Sequence, residues 1–261
     1  MTDGSAIQDR QSPPSAASLD IIFHPRNVAV VGASAAAAGS TYSLGFGTGY
    51  ISSLKARGFQ GPIYPVNPKY REVLGLPCYP SLLAIPGPVD HVVVCIPVAR
   101  VLELIDDCVR KGVRSVQFFT AGFAEAGEDG AALERELVAR ARRGGVRVLL
   151  NCVGIYCPRS GLCLNPDISP LLPLEPGPVA IISQSGGNTH YLAGWGALRG
   201  LQYSKVISYG NAADVDESEL LEYLAWDPET EIIGAYIEGV RDGRRFARAL
   251  RQAAARKPVV V

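Results

Sequence analysis

The residues best equipped for chemistry sit in Ser183-Gln184-Ser185-Gly186-Gly187, between the apolar run Val179–Ile182 and a helical pattern from about Asn188. A serine beside paired glycines at a strand-to-helix turn has two chemical uses. It can be a nucleophile on a sharp elbow, or the turn can present backbone N–H groups and a helix N-terminus to an anion. The elbow needs Gly-x-Ser-x-Gly, followed by an acid and a histidine. Here Ser183 stands in place of the first glycine, and the only later histidine is His190, five residues on in the same predicted helix. That helix directs the two side chains away from a common attack geometry. The phosphate reading needs only small residues, free amides and a helix dipole, and all are present. The stretch reads as an anion seat.

A second turn of this kind ends RNVAVVGAS (Arg26–Ser34), where an apolar strand runs into Gly32-Ala33-Ser34 and then AAAAGSTYSLGFGTG. Small residues let amides approach a pyrophosphate, although the spacing only partly matches GxGxxG, the next glycine being Gly39. The following strand ends IYPVNPKY, with Asn67 and Lys69 where an NAD-binding domain carries an acid. An amide and a cation there suit an extra phosphate, as in NADP or the 3′-phosphate of coenzyme A. Lys69 also reads as an ordinary solvated lysine, and Glu238 in YIEGV as a solvated acid at a strand end.

Other reactive side chains point elsewhere. His24 precedes Pro25 and His91 opens a strand, so both read as structural, and His190 near a helix start reads as a surface or packing residue. The six cysteines lie largely in apolar strand or helix patterns, which suits reduced thiols in the cytoplasm. Cys152, Cys157 and Cys163 lack a CxxC pair and a fourth ligand, so no metal site is expected.

These turns must be positioned by an α/β fold. Strands are predicted at Val28–Val31, Ile63–Val66, His91–Ile96, Ser115–Phe119 and Val146–Leu150, with helices near Gly49–Arg57, Ala99–Lys111 and Gly130–Arg143 between them. That alternation means βαβ units on a parallel sheet. Asn151–Pro178, with prolines at 158, 166, 170, 173, 176 and 178, reads as an interdomain segment. The rhythm restarts with strands Val179–Ile182, Lys205–Ser208, Ile232–Ile237 and Pro258–Val261 and helices near Asn188–Leu198, Glu217–Trp226 and Gly243–Arg256. The expected division is a loose tail at 1–18, one domain at 19–150, the crossing at 151–178 and a second domain at 179–261, incomplete beyond its last strand. An exposed edge at that strand is compatible with a homo-oligomer.

Composition narrows the partners. Apolar residues make up 48% and charged residues 19%, enough for a sizeable core, and 25 basic groups balance 25 acidic ones. Bulk electrostatics therefore give no reason to expect nucleic acid or a membrane surface as partner, and no apolar run is long enough to span a bilayer.

Read in order, IFHPRNVAVVGAS, GFQGPIYPVNPK, VDHVVVCIPV, TAGFAEAGEDG, NCVGIYCP, ISQSGG, KVISYGNAADVDESELLEYLAWDPET, YIEGVRDGRRF and RKPVVV resemble the NDP-forming (ADP-forming) acyl-CoA synthetases. More distantly they resemble the α subunit of succinyl-CoA synthetase. The resemblance implies a Rossmann-like CoA-binding domain followed by a flavodoxin-like ligase domain. It implies a reversible reaction in which acid, CoA and NTP yield acyl-CoA, NDP and phosphate through an acyl phosphate and a phosphohistidine. ATP or ADP with magnesium would be held by an ATP-grasp domain or subunit, in cis or in trans. The family's motifs place Gly32, Ala33 and Ser34 at the CoA phosphates, Asn67 and Lys69 at the adenosine end, and Ile96 and Pro97 beside the adenine. They place Ser183–Gly187 at the phosphate and Glu238 where it orients the histidine. Asn151 and Cys152 keep half of the family's GPNC motif, here Leu149-Leu150-Asn151-Cys152, and the resemblance places Asn151 among the CoA-binding residues. The phosphorylated histidine is expected outside this chain, which should bind CoA and turn over poorly by itself. Two other readings compete: the CoA-sensing region of a protein acetyltransferase, and an NADP-dependent oxidoreductase.

Overall fold

A computed structural model describes residues 14–34, 46–166 and 169–261. In chain order the elements are α1 (Pro14–Phe23), β1 (Val28–Val31), α2 (Phe46–Ala56), β2 (Ile63–Val66), β3 (Glu72–Val73), β4 (Leu76–Pro77), β5 (His91–Val94), α3 (Val101–Lys111), β6 (Ser115–Phe118), α4 (Glu128–Arg143) and β7 (Arg147–Leu150). They continue with β8 (Ile155–Cys157), β9 (Leu162–Cys163), β10 (Val179–Ser183), α5 (Gly186–Leu198), β11 (Tyr203–Ser208), α6 (Glu217–Leu224), β12 (Ile232–Tyr236), α7 (Gly243–Ala254) and β13 (Val259–Val260).

The first sheet has the order β2-β1-β5-β6-β7, and every pairing in it is parallel. Its inner strands are buried along their whole length. That burial explains why β1 and β5 read as near-continuous valine-rich runs rather than alternating ones. Strand order reverses between β1 and β5, and open α/β sheets bind ligands beyond the carboxyl ends of strands at such a switch point.

The second sheet runs β13-β12-β10-β11-β8-β9. Its β10–β13 members are parallel, while β8 and β9 add antiparallel strands at one edge. Thus 151–178 is not merely a crossing. Ile155, Tyr156, Cys157, Leu162 and Cys163 are buried, and pairing of β8 with β11 and of β9 with β8 satisfies backbone that an apolar linker would leave stranded. The chain start also differs from the expected tail: α1 begins at Pro14. Leu19, Ile22 and Phe23 are buried, and the Phe23 ring lies 5.0 Å from that of Tyr223 on α6. Residues 1–13 lie outside the described residues.

The two sheets share a core. One cluster packs α3 and α4 against the first sheet, but the other joins Val28, Val30 and Val93 to Ile182, Ile207 and Leu220 across the junction. Ion pairs fasten its edge. Arg147 grips Glu219 through two bonds of 2.8 and 2.7 Å and reaches Asp214 at 3.0 Å. Among the described residues no helix is long and apolar enough to cross a membrane.

His91 is fully buried, its Nδ1 2.7 Å from Ser115 Oγ. Burial lowers its pKa to about 3. The unfolded chain therefore takes up a proton near pH 6.5 that the folded chain refuses. Stability contributed by neutral His91 is complete above that pH and is lost progressively as pH falls toward 3. Between pH 7 and pH 5 the loss should be about 2 kcal/mol. Denaturant unfolding at both pH values checks this: His91→Gln should lose that much less than the parent, and equal losses would refute it.

Candidate functional site

The carboxyl ends of β1, β2 and β5 open into a cavity of about 450 Å³. Gly32, Ser34, Asn67, Lys69, Ile96 and Pro97, all expected at a nucleotide-bearing ligand, line it together with Tyr70, Arg100 and Glu103. Gly32 ends β1 at a φ of 94°. A Cβ there would overlap the carbonyl oxygen of Cys95, so glycine is what lets β1 lie against the end of β5.

The amides of this first turn are largely committed. Gly32 N–H donates to Val66 O at 3.0 Å, and Ser34 N–H donates to Thr48 Oγ1 at 3.2 Å. The buried Thr48 hydroxyl donates back to the Ser34 carbonyl, so the start of α2 is pinned to the turn. Ala33 is buried, and its N–H has no partner among the described residues. Residues 35–45 of the small-residue stretch lie outside the described residues.

Asn67 is also occupied. Its Nδ2 donates to Ala33 O at 2.6 Å and its Oδ1 accepts from Lys69 N–H at 3.0 Å. It therefore braces the cavity wall. Lys69 is exposed at the rim and forms no ion pair among the described residues, which leaves its ammonium available to an anion. Arg100 is a second exposed rim cation that sequence reasoning missed. Its signal was its place just after β5, the counterpart of Lys69 after β2. Burial pushes the Cys95 thiol up to about 12, so the sulfur in this wall is neutral.

The second turn joins β10 to α5. Ser185 caps the helix, its Oγ accepting from Asn188 N–H at 3.3 Å. Its carbonyl accepts from Thr189 N–H at 2.9 Å, from Thr189 Oγ1 at 2.7 Å and from Ser183 Oγ at 2.8 Å. These bonds hold the turn open: the amides of Ser185, Gly186 and Gly187 have no partner among the described residues. They stand at the positive end of a 13-residue helix. Ser185 Oγ is thus spent on capping, and His190 Nε2 lies 2.8 Å from Asn165 Oδ1 rather than beside the serine. Glu238 follows β12 and is exposed, and its backbone N–H donates to Gln184 Oε1 at 2.8 Å.

A short path connects the turns. Tyr50 on α2 donates to Val153 O at 3.1 Å, and a Cβ on Gly186 would lie 2.6 Å from Val153 Cγ1. The 151–154 turn therefore sits between the helix pinned to Ser34 and the first residue of α5. Asn151 stands apart from the cavity lining, with a φ of 52° and its Nδ2 3.3 Å from Asn211 Oδ1 across the junction. Of the three clustered cysteines, only Cys157 belongs to a group of potential metal ligands among the described residues, with His24 and Glu229, all within 4.8 Å. Both Glu229 oxygens are already held by cations, Arg159 at 2.7 Å and Lys205 at 2.8 Å.

Comparisons with known proteins find two family matches along the chain. A CoA binding domain family matches residues 26–158, and a family described as the succinyl-CoA ligase like flavodoxin domain matches residues 176–261. Acetate–CoA ligase (ADP-forming) I of Archaeoglobus fulgidus is 43% identical over 244 residues, covering 93% of this chain and 34% of its own length. The alpha subunit of acetate–CoA ligase (ADP-forming) I of Pyrococcus furiosus is 39% identical over 250 residues, covering 94% of this chain and 52% of its own. The chain thus spans about a third to a half of the curated relatives it matches. A solved structure of the dinucleotide forming acetyl-coenzyme A synthetase 1 of Ca. Korarchaeum cryptofilum, in complex with phosphate and ADP, superposes with a TM-score of 0.82 at 36% identity. It covers 92% of this chain and 50% of that one.

Proposed function

Because the chain belongs to the ADP-forming acyl-CoA synthetase family, we propose that it supplies the CoA site and the phosphoryl-docking turn of such a synthetase. The observation that carries this reading is the pairing of a switch-point cavity, rimmed by Lys69 and Arg100, with a turn offering three consecutive free amides. The 151–154 turn lies between them. CoA would lie in the cavity with its 3′-phosphate toward the exposed rim and its thiol end toward that turn.

In the whole synthetase, phosphate attacks the thioester, releasing CoA and forming an acyl phosphate. A histidine takes the phosphoryl group, releasing the free acid, and carries it to ADP. The amides of Ser185, Gly186 and Gly187, with the dipole of α5, would stabilise the phosphoryl charge near 151–154 without supplying a nucleophile. His91 is buried against Ser115, His190 faces Asn165 and His24 faces Asp20 at 3.7 Å, so the carrier histidine would belong to another segment or subunit. The same holds for the nucleotide and its magnesium, bound by an ATP-grasp unit. The Korarchaeum complex with phosphate and ADP and the Pyrococcus alpha subunit support that arrangement. The free cysteines support a reducing, cytoplasmic setting.

Isothermal titration against CoA, dephospho-CoA and NADP tests the reading. CoA should bind, and Lys69→Ala should weaken it roughly fivefold while leaving dephospho-CoA unchanged. Tight NADP binding with none for CoA would overturn the proposal.

A further inference from the structure

Gln184 lies in the middle of the phosphate turn, yet its side chain is turned toward another strand. Its Oε1 accepts from two consecutive amides, Glu238 N–H at 2.8 Å and Gly239 N–H at 3.1 Å. Its own backbone N–H donates to Tyr236 O at 3.0 Å. Three hydrogen bonds from one residue thus hold the segment after β12 against the end of β10. A carbonyl oxygen has two lone pairs, and both are used here on neighbouring N–H groups. Those two amides sit just past the last β10–β12 ladder pair, Ser183 with Tyr236, where backbone no longer finds strand partners.

We infer that Gln184 is a positioning residue, which clamps Glu238 beside the free amides of Ser185, Gly186 and Gly187. The clamp joins two parts: a turn that receives an anion and a carboxylate that must face whatever the anion is attached to. Glu238 is exposed and its carboxylate forms no ion pair or side-chain hydrogen bond among the described residues, so the bonds at its backbone are what hold it. The role of the clamp rests on the phosphoryl-docking function proposed above. Hydrogen bonds to backbone amides are read by the acceptor, so a carboxylate can replace the carboxamide oxygen while an apolar chain cannot.

The test uses the full chain with inorganic phosphate as probe, followed by NMR. Amide exchange at Glu238 and Gly239 should accelerate roughly tenfold in Gln184→Leu, the factor expected for one lost hydrogen bond, and stay near the parent rate in Gln184→Glu. Exchange within β10 and β12 should not change. In the parent chain, saturating phosphate should shift the backbone amide resonances of Ser185, Gly186 and Gly187 and, through the clamp, that of Glu238. In Gln184→Leu the Glu238 response should disappear. Unchanged exchange at Glu238 and Gly239 in Gln184→Leu, or equal acceleration in Gln184→Glu, would overturn the clamp. A parent chain whose Ser185, Gly186 and Gly187 amides ignore phosphate would instead overturn the docking function, and the positioning role with it, before any substitution is made.

Discussion

Gly32→Ala should abolish CoA binding and destabilise the fold by about 3 kcal/mol. The residue has a φ of 94°, which L side chains rarely adopt. Its new Cβ would collide with backbone, lying 2.8 Å from the Cys95 carbonyl carbon and overlapping the oxygen, so no rotamer relieves it. Relief requires β1 and β5 to part at the switch point, where Gly32, Cys95 and Ile96 form the cavity wall. A useful control is Gly58→Ala, with a similar φ of 76° but nothing within 4 Å of the added carbon. It should cost only the conformational strain and leave CoA affinity intact. Thermal unfolding should place Gly32→Ala roughly 10 °C below the parent. Calorimetric CoA binding within a few fold of the parent would contradict the assigned contact.

Asp227→Ala should cost about 3–5 kcal/mol, because it strands a buried cation. Lys205 is fully buried and donates to Asp227 at 2.7 Å and to Glu229 at 2.8 Å. Its ammonium lies 5.8 Å from the ring centres of both Phe23 and Tyr223, in the core that joins α1 to α6. Burial opposes the lysine charge, but Cys157, Asp227 and Glu229 outweigh it and hold the pKa above the usual lysine value. The ion pair is therefore complete at neutral pH and is lost only as pH rises through that raised value. Without Asp227, Glu229 is the one carboxylate paired with the cation among the described residues, and Arg159 already shares it at 2.7 Å. Adding Lys205→Met to Asp227→Ala should recover part of the loss, since an apolar chain of similar length needs no counter-charge. Denaturant midpoints of the two single variants and the double variant measure the coupling. Purely additive losses would show that the pair does not act as a unit.

Part of the site was legible in the sequence. Residue types pointed to the strand ends at Gly32 and Lys69 and the family resemblance to Ile96 and Pro97, and the four converge on one cavity. The rejection of a serine nucleophile also rested on spacing, and Ser185 acts as a cap. Other assignments by motif hid the direction of side chains. Asn67 belongs to the wall but points its amide at Ala33, and Gln184 belongs to the turn but grips the strand beside it. Arg100 escaped notice because a lone arginine at a helix start looks like any solvated cation.

Strand periodicity, the parallel arrangement and the two small-residue turns were determined by the sequence itself. Each depends on local properties: β-branched stiffness, the reach of a bare backbone, and the positive end of a helix. The partners of those turns were decided only by tertiary structure. Whether an amide stays open, as at Gly186, or is taken, as at Ser34 by Thr48, depends on groups that packing brings near. The clamp from Gln184 to Glu238 spans 54 residues and the Asn67 brace spans 34, distances over which no local pattern records a partner. The same limit applies to Asn151–Pro178. Its prolines signal irregular backbone, but pairing β8 to β11, and β9 to β8, requires the finished second sheet.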